Sequence, residues 1–476
     1  MFNIILAVDK NNGIGCNGTL SWNIPEELKI FKEKTKDSIV ITGRKTLEKL
    51  PKLKDRTIYC LSSKIEIKCN NEIVYIFQNI NECVKQAINL SNITGQKIFI
   101  IGGNQIYDIF LKNYKKDLTI HISFLNNSYT CDTFFSTENL KDFYISKKDE
   151  YELFTHYEMV YHKYGERQYI NLIKDILENG ERRKTRNSET LSDFCKHLKF
   201  DLRDGFPLLT TKKMFLKGII EELLFFIRGD TNSKILEEKG INIWKGNTSR
   251  EFLDANGFKD RKEGEMGPMY GSQWRYFNSI YRRKYNEEKL NDDDDLFQFI
   301  DVINSSRLDN TDLPDFNYDQ LKFVINEIKT NPTSRRILLT SFNPAQVKKG
   351  VLWPCHSITL QFYVQDEFLD MFCFCRSQDI GLGTGFNIAS SSLLLMIIAK
   401  LTNLTPRYMN LSMGDAHIYA DHIEPIRSQL DRMPYVFPTL ILPEFTTLED
   451  VEKLTFDDFK LMDYKYYPTI KMPMIA

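Results

Sequence analysis

Through the first third of this chain, short runs rich in β-branched residues alternate with stretches of helical period. Strand-like runs at 2–8, 38–42, 56–61, 73–77 and 97–101 are separated by helical patterns at 25–34, 44–50, 80–90 and 104–114. Such alternation constrains a chain strongly, because parallel neighbours need long crossovers and the crossover helices cover both sheet faces. The pattern predicts an α/β, doubly wound, mostly parallel sheet, closed by a hairpin between 143–147 and 154–164. Past Tyr164 the pattern changes to long helices (167–178, 217–228, 389–401) and long strands (336–342, 358–364, 369–376), which predicts a larger α+β domain. Domains are expected at 1–164 and 165–476, abutting closely because no Pro/Ser-rich linker separates them. The 476 residues are too many for one core, which agrees with that division. A polar stretch at 276–318, with aspartates at 292–295, reads as a surface insertion.

Composition narrows the function classes. A formal charge of −1 gives no pull toward nucleic acid or an acidic membrane surface. Nine cysteines, odd in number and without CxxC pairs, indicate neither a disulfide framework nor a zinc site, so no metal is expected. Cys373 and Cys375 alternate on one strand face and read as core packing. Met1 leads directly into a strand pattern, and no apolar run is read as approaching a membrane span. A soluble protein of a reducing, cytoplasmic compartment is expected.

Cys355 lies at Trp353-Pro354-Cys355-His356, and Arg376 ends the second strand of the hairpin pattern that follows. A cation beside a thiol lowers its pKa and favours the nucleophilic thiolate. A lone cysteine is more often inert core, so the neighbouring residues must decide. On the helix at 217–228, Phe215, Ile219, Glu222, Leu223 and Phe226 share one stripe, which places a carboxylate among apolar side chains. Arg335-Arg336 opens a strand, where adjacent side chains point to opposite faces; surface charge is the plainer explanation. Gly381 to Asn387 reads as a flexible glycine loop entering a helix, and His417 and Tyr419 share one side of an extended segment.

The amino-terminal third has its own chemistry. Gly13 to Gly18 matches G-x-G-x-x-G, but the next helix begins only at Pro25, so a dinucleotide fingerprint is not supported and a mobile loop is expected. On that helix Ile24, Glu27, Leu28 and Phe31 share one face. Glu27 is either a buried acid of raised pKa or an edge residue reaching water. Strand-to-helix turns at Gly43-Arg44-Lys45-Thr46 and Gly102-Gly103 present free N–H groups, and Ser62-Ser63-Lys64 adds hydroxyls and a cation. Three such turns suggest a phosphorylated cofactor, and the cations favour NADPH over NADH.

Ile4-Ile5-Leu6-Ala7-Val8, Leu20-Ser21-Trp22-Asn23-Ile24-Pro25, Thr42-Gly43-Arg44, Leu61-Ser62-Ser63, Ile101-Gly102-Gly103 and Asp132-Thr133 together resemble dihydrofolate reductase over 1–163. The resemblance implies that Glu27 binds the pterin and helps deliver a proton, with Ala7, Trp22, Leu28, Phe31 and Arg56 around the folate. It also implies NADPH at Gly13, Gly15, Gly43, Arg44, Lys45, Thr46, Leu61, Ser62, Ser63, Lys64, Gly102, Gly103, Gln105 and Ile106, with a cis peptide at Gly102-Gly103. Leu47 stands in place of a frequent tryptophan. Ile120 is aligned where a threonine often supports the acid.

From about 166 onward the chain resembles thymidylate synthase, on Asp204-Gly205-Phe206-Pro207, Gly229-Asp230-Thr231-Asn232, Gly267-Pro268-Met269-Tyr270-Gly271, Gln273-Trp274-Arg275, Ser334-Arg335-Arg336, Pro354-Cys355-His356, Arg376-Ser377 and Phe386-Asn387-Ile388. Reductive methylation of dUMP by 5,10-methylenetetrahydrofolate is implied. Cys355 would add to the pyrimidine, Glu222 relay protons and Asn387 recognise the uracil edge. Arg376, Ser377 and Gln378 would bind dUMP, His417 and Tyr419 its ribose, and Trp244 and Asp379 the folate. Asp379 is also placed against dUMP. Arg335 and Arg336 would reach the phosphate of a neighbouring subunit, implying a C2 homodimer, and the last six residues resemble a tail that closes over ligands. The segment from Arg186 to Leu191 lacks the family's glycines, and Glu189 brings a negative charge toward the phosphate. Phe225, Cys375 and Gly385 are further departures. The order of the two halves resembles a bifunctional fusion, in which a short tether raises the local concentration of the second enzyme to about millimolar. Two rivals remain: a dimeric nucleotide-binding scaffold with impaired synthase turnover, and a simple NAD dehydrogenase resting on Gly13 to Gly18 alone.

Overall fold

The β-branched runs of the first third become strands, and those at the centre of the sheet are sealed: Ile4, Val8, Ile39, Ile41 and Ile100 are fully buried. A computed structural model describes residues 2–71, 74–185, 188–278 and 318–475, and within it the chain divides into two units. The first gathers Met1–Gln168 with Asp431–Phe437 and Lys465–Pro468. Its strands are β1 (Phe2–Val8), β2 (Gly13–Gly15), β3 (Ser38–Gly43), β4 (Arg56–Leu61), β5 (Val74–Phe77), β6 (Ile98–Ile100), β7 (Leu118–Leu125), β8 (Thr133–Phe134), β9 (Phe143–Glu150) and β10 (Phe154–Tyr161). Helices α1 (Pro25–Thr35), α2 (Arg44–Leu47), α3 (Ile80–Thr94) and α4 (Asn104–Asn113) connect them.

The eight-stranded sheet has the order β5-β4-β3-β6-β1-β7-β10-β9. Pairs from β5 through β7 are parallel, and the closing hairpin β9–β10 is antiparallel. β4 and β5 continue outward from β3, whereas β6 returns to lie between β3 and β1. The C-terminal ends of those strands therefore open at a topological switch point, where α/β sheets bind ligands.

The segment 13–18 departs from the expected loop. Gly13–Gly15 pairs with Thr133–Phe134, Cys16 bridges Thr19, and the Asn17 N–H donates to Asp132 at 2.7 Å. Two glycines disfavour a strand locally, but the partner strand and the buried Asp9, which accepts from the Gly13 N–H at 2.7 Å, hold it extended.

The second unit comprises Tyr169–Leu430, Pro438–Tyr464 and Thr469–Ala476. Its main sheet runs β11 (Glu181–Lys184), β12 (Glu189–Asp201), β16 (Thr405–Tyr419), β15 (Phe368–Asp379), β14 (Thr359–Gln365), β13 (Leu338–Thr340). All its pairs are antiparallel except β15 with β16, which are joined by the crossover helix Gly383–Leu401. Several expectations are corrected here. The glycine segment at 381–387 is not a loop throughout, because the helix begins at Gly383 and carries Thr384, Gly385 and Asn387 in its first turns. Arg335 and Arg336 precede the strand, which starts at Leu338, so strand alternation does not govern them. Gly383–Leu401 is also long and apolar enough by composition to cross a membrane; 72% of that window is buried in the fold, which makes it a core helix. Phe215, expected in the buried stripe, is 46% exposed. Arg186 and the polar stretch 279–317 lie outside the described residues.

Candidate functional sites

In the first unit, Pro25 at the first position of α1 fixes the helix start, and the 3.6-residue period carries Glu27 to the inner face. Glu27 is 5% exposed, which settles its two alternatives in favour of burial. Burial pushes its carboxyl up to about 7, and a hydrogen bond from Ser123 pulls the other way. The aligned Ile120 is fully buried in the main core, and Ser123, three residues on and across the sheet, supplies the hydroxyl instead. The β1–β7 register sets Ser123 opposite Ala7. Trp22 is buried, and its indole N–H has no partner among the described residues. Leu28 and Phe31 are half-buried along α1. Arg56 is pinned by Thr35 Oγ1 at 3.0 Å, Lys32 O at 2.8 Å and Lys54 O.

The ends of β3 and β6 meet where the Gly43 N–H donates to Gly102 O at 2.8 Å, and the Gly102-Gly103 bond is cis. Helices α2 and α4 start there at Gly43 and Gly103, and neither has a side-chain cap, so their first N–H groups remain free for an anion. A Cβ on Gly103 would come 3.1 Å from Thr46 Oγ1, and one on Gly43 3.3 Å from the buried Ile106. Arg44 is held by Glu48 at 2.7 Å, whereas Lys45, Ser63, Lys64 and Gln105 are exposed around the same rim. Leu61 ends β4, and Ser62 Oγ accepts from the Lys64 N–H at 2.9 Å. Gly13 and Gly15 stand apart on β2.

In the second unit, the parallel pairing of β15 and β16 brings Ser377 opposite Asp415 and Asp379 opposite His417. His417 and Tyr419 have ring centres 5.0 Å apart. Arg376 donates to Pro354 O at 2.8 Å and Trp353 O at 2.9 Å, which fixes the backbone immediately before Cys355. Cys355 is half-buried, neither sealed in the core nor free on the surface. Its N–H donates to the Tyr270 hydroxyl at 3.2 Å, so that hydroxyl's own proton is free for the sulfur, 3.6 Å away. Burial, with the nearby Cys355, holds the phenol well above its usual range. Tyr270 itself has φ 48 and ψ −111, an unfavourable backbone for a bulky residue and one typical of functional sites. The sequence signal was available in the motif from Gly267 to Gly271, where an aromatic is wedged between glycines.

Tyr270 stacks on His356 at 4.6 Å and lies 5.9 Å from Trp244, ring centre to ring centre. Trp244 Nε1 donates to Glu222 at 2.8 Å. Burial raises Glu222 to about 7, against the Trp244 bond. The adjacent Glu221 differs, since Lys239 lies 2.5 Å from it and the Phe456 N–H donates to it. Asn387 donates to Gln378 Oε1 at 3.0 Å, and Gln378 donates to Thr384 at 3.1 Å. Gln378 is buried and so orients Asn387, whose carbonyl oxygen and second N–H stay available. Glu189 is paired with Arg182 at 2.9 Å, so its charge is offset within the hairpin. Arg335 and Arg336 are exposed, with no ion pair to a described residue.

Two family models match the chain in succession. Residues 1–166 match the family model for dihydrofolate reductase and residues 167–476 that for thymidylate synthase. A bifunctional dihydrofolate reductase-thymidylate synthase of Zea mays is 35% identical over 532 aligned residues, spanning 99% of this chain and 96% of that protein. The proteins of the same description from Paramecium tetraurelia and Leishmania major are 35% and 34% identical, each across 99% of this chain and 98% and 95% of their own lengths.

Proposed function

The chain belongs to the bifunctional dihydrofolate reductase–thymidylate synthase family, and we propose that its two activities are carried by the two residue sets just described. One is NADPH-dependent reduction of dihydrofolate; the other is reductive methylation of dUMP by 5,10-methylenetetrahydrofolate. The second leaves dihydrofolate, the substrate of the first.

The first unit fits NADPH: uncapped helix starts at Gly43 and Gly103 suit its phosphates, and at both glycines a Cβ would crowd the turn, against Ile106 and Thr46. When bound, NADPH supplies the hydride. Ionised, Glu27 accepts the paired N–H donors of the pterin edge, and with a carboxyl raised to about 7 it exchanges a proton near neutral pH. Trp22, Leu28 and Phe31 exclude water around it, and Arg56 takes the carboxylate tail of the folate.

In the second unit Cys355 sulfur adds to C6 of the pyrimidine as the C5–C6 double bond opens and its electron pair moves to C5, the atom that then attacks the one-carbon donor; the Tyr270 hydroxyl steadies the sulfur. Glu222 both takes and gives protons because its carboxyl titrates near 7. Asn387, held by Gln378, offers one acceptor and one donor to the uracil edge. The N–H groups of Arg376 not bound to backbone, with Ser377, hold the phosphate; His417 and Tyr419 hold the ribose; Asp379 faces the folate. Arg335 and Arg336 serve the partner's phosphate. The outer face of the main sheet supports such a pair, since Leu338, Tyr363 and Phe372 are 42%, 59% and 37% exposed there on neighbouring strands. Cysteines left free throughout the described residues suit a reducing compartment such as the cytoplasm.

The observation that carries this reading is Cys355 set 3.6 Å from the Tyr270 hydroxyl, on backbone pinned by Arg376. No observation favours the scaffold rival, whose motive was the altered loop at Arg186. The dehydrogenase rival fails because Gly13–Gly15 is a strand rather than the opening of a helix. The test is sequential: dUMP and methylenetetrahydrofolate first, with dihydrofolate followed by absorbance, then NADPH. Cys355→Ser should abolish the first stage and spare NADPH oxidation, and Glu27→Gln should do the reverse. A flat first stage with wild-type protein, or both rates surviving in Cys355→Ser, would overturn the assignment.

A further inference from the structure

β15 ends at Asp379, and the chain turns through Ile380, Gly381 and Leu382 into the helix Gly383–Leu401. Asp379 Oδ1 closes that turn by accepting from the N–H groups of Gly381 at 2.8 Å and Leu382 at 3.3 Å. A fully buried imidazole, His422, stands against the same oxygen, with Nδ1 3.6 Å away. Gly381 makes this approach possible, since a Cβ there would come within 2.7 Å of Nδ1 and 3.0 Å of Met472 Sδ. On the other side of the ring, Nε2 lies 2.8 Å from the carbonyl oxygen of Pro473.

Donor and acceptor chemistry determines the state of this ring. A carbonyl oxygen only accepts, so Nε2 carries a proton. A neutral ring would then turn the bare lone pair of Nδ1 toward a carboxylate, leaving two buried acceptors face to face. The imidazolium removes that conflict: it donates through Nε2 to Pro473 O and faces the Asp379 carboxylate as an ion pair at 3.6 Å. We propose that His422 is a positioning residue of the synthase reaction, a clasp whose two ring nitrogens fasten the C-terminal segment at Pro473 to the strand end at Asp379. The inference rests on the synthase reading, in which Asp379 faces the folate and the C-terminal segment covers it.

Burial works against the cation, but the Asp379 side chain and the Pro473 carbonyl outweigh it and raise the ring above its usual range. Asp421, in the same turn, acts in the same direction. Tyr419 meets the ring edge-on at 5.5 Å, and the nearby Lys212 ammonium is bound to Gly381 O. A raised histidine stabilises the fastened form fully below its free value of about 6.5, and that contribution is lost as pH rises through the raised value. The C-terminal segment should therefore loosen in alkali.

The experiment uses the full chain with dUMP bound, and follows hydrogen exchange at Met472, Met474 and Ile475 with the KM for methylenetetrahydrofolate. With exchange corrected for its intrinsic pH dependence, wild-type protein should show faster exchange and a rising KM as pH climbs past neutrality. His422→Gln can donate to Pro473 but carries no charge, and should flatten both pH dependences. His422→Phe should raise the KM about tenfold, the loss expected for a charged hydrogen bond, with dUMP binding as the control for folding. A pH dependence kept in full by His422→Gln, or an unchanged KM in His422→Phe, overturns the clasp. Failure of the wild-type protein to turn over would instead overturn the synthase reading, and the exchange data would still decide whether the clasp exists.

Discussion

Glu27 and Glu222 share one device: a carboxyl raised to about 7 by burial and opposed by a single hydrogen bond, from Ser123 in one case and Trp244 in the other. For such a group the fold prefers the protonated form. Stability is complete below the carboxyl's unfolded value and falls as pH rises through about 7. A proton held near neutrality is what general acid chemistry requires. Ser123→Ala removes the opposing bond at Glu27 and should raise its carboxyl further. The falling alkaline limb of the reductase kcat/KM profile should then move up by up to about one pH unit. An unmoved limb would show that the Ser123 hydroxyl does not govern the acid. His156 Nδ1 lies 3.0 Å from that hydroxyl, but burial, reinforced by Lys34, lowers the ring to about 4, so it brings no charge at neutral pH. Burial of Glu27 was one of two readings the sequence left open, because a helical period exposes a carboxylate in an apolar stripe. The support of this acid was not legible. Ile120 and Ser123 differ by an odd number of strand positions and so face opposite sides of the sheet, which only the register with β1 reveals.

Strand–helix alternation was legible for the same reason: hydrophobic period is a local signal. What escaped it were elements held by distant partners. Gly13–Gly15 is a strand because Thr133–Phe134 lies beside it, and Gly383 begins a helix because the crossover to β16 buries that turn. In both places tertiary packing overrides the glycine preference for loops. Gly271 shows the converse, a glycine demanded by packing. It opens the short helix Gly271–Arg275 directly against the helix Leu216–Arg228, and a Cβ there would sit 2.1 Å from Phe226 O and 2.4 Å from Phe226 Cα. Backbone cannot step aside as a flexible side chain can. Gly271→Ala should therefore destabilise the second unit by about 3 kcal/mol or more, since the clash must shift one helix. Because Tyr270 precedes it, synthase activity should fall with stability while reductase activity holds. Equal urea midpoints for the synthase activity of the two proteins would contradict the packing argument.

The amino-terminal unit is not closed by the amino-terminal residues alone, and no local pattern could have announced this. β9 is the outer strand of the eight-stranded sheet, and an outer strand presents unpaired N–H and C=O groups. Residues from near the far end of the chain take them up: the Ile145 N–H donates to Pro434 O and the Val436 N–H to Ile145 O, each at 3.0 Å. Lys465 Nζ donates to Ser146 O at 3.0 Å, Tyr435 and Tyr467 meet with ring centres 5.4 Å apart, and Met433 and Tyr435 pack on the core beneath. A protein cut after Gln168 keeps every reductase residue named above but loses this cover. It should bind NADPH, yet its reductase should unfold at lower urea, by about 1–3 kcal/mol for the two missing backbone bonds and the apolar surface laid bare. Its bare edge should also promote self-association, visible as an increase in light scattering with concentration. Supplying 431–437 as a separate peptide should restore part of that stability, because this segment alone carries both backbone bonds to Ile145. If the shortened protein instead matches the full chain in midpoint and stays monodisperse, the reductase sheet needs no edge cover. The return of 431–437 and 465–468 to this unit would then reflect only the route of the chain.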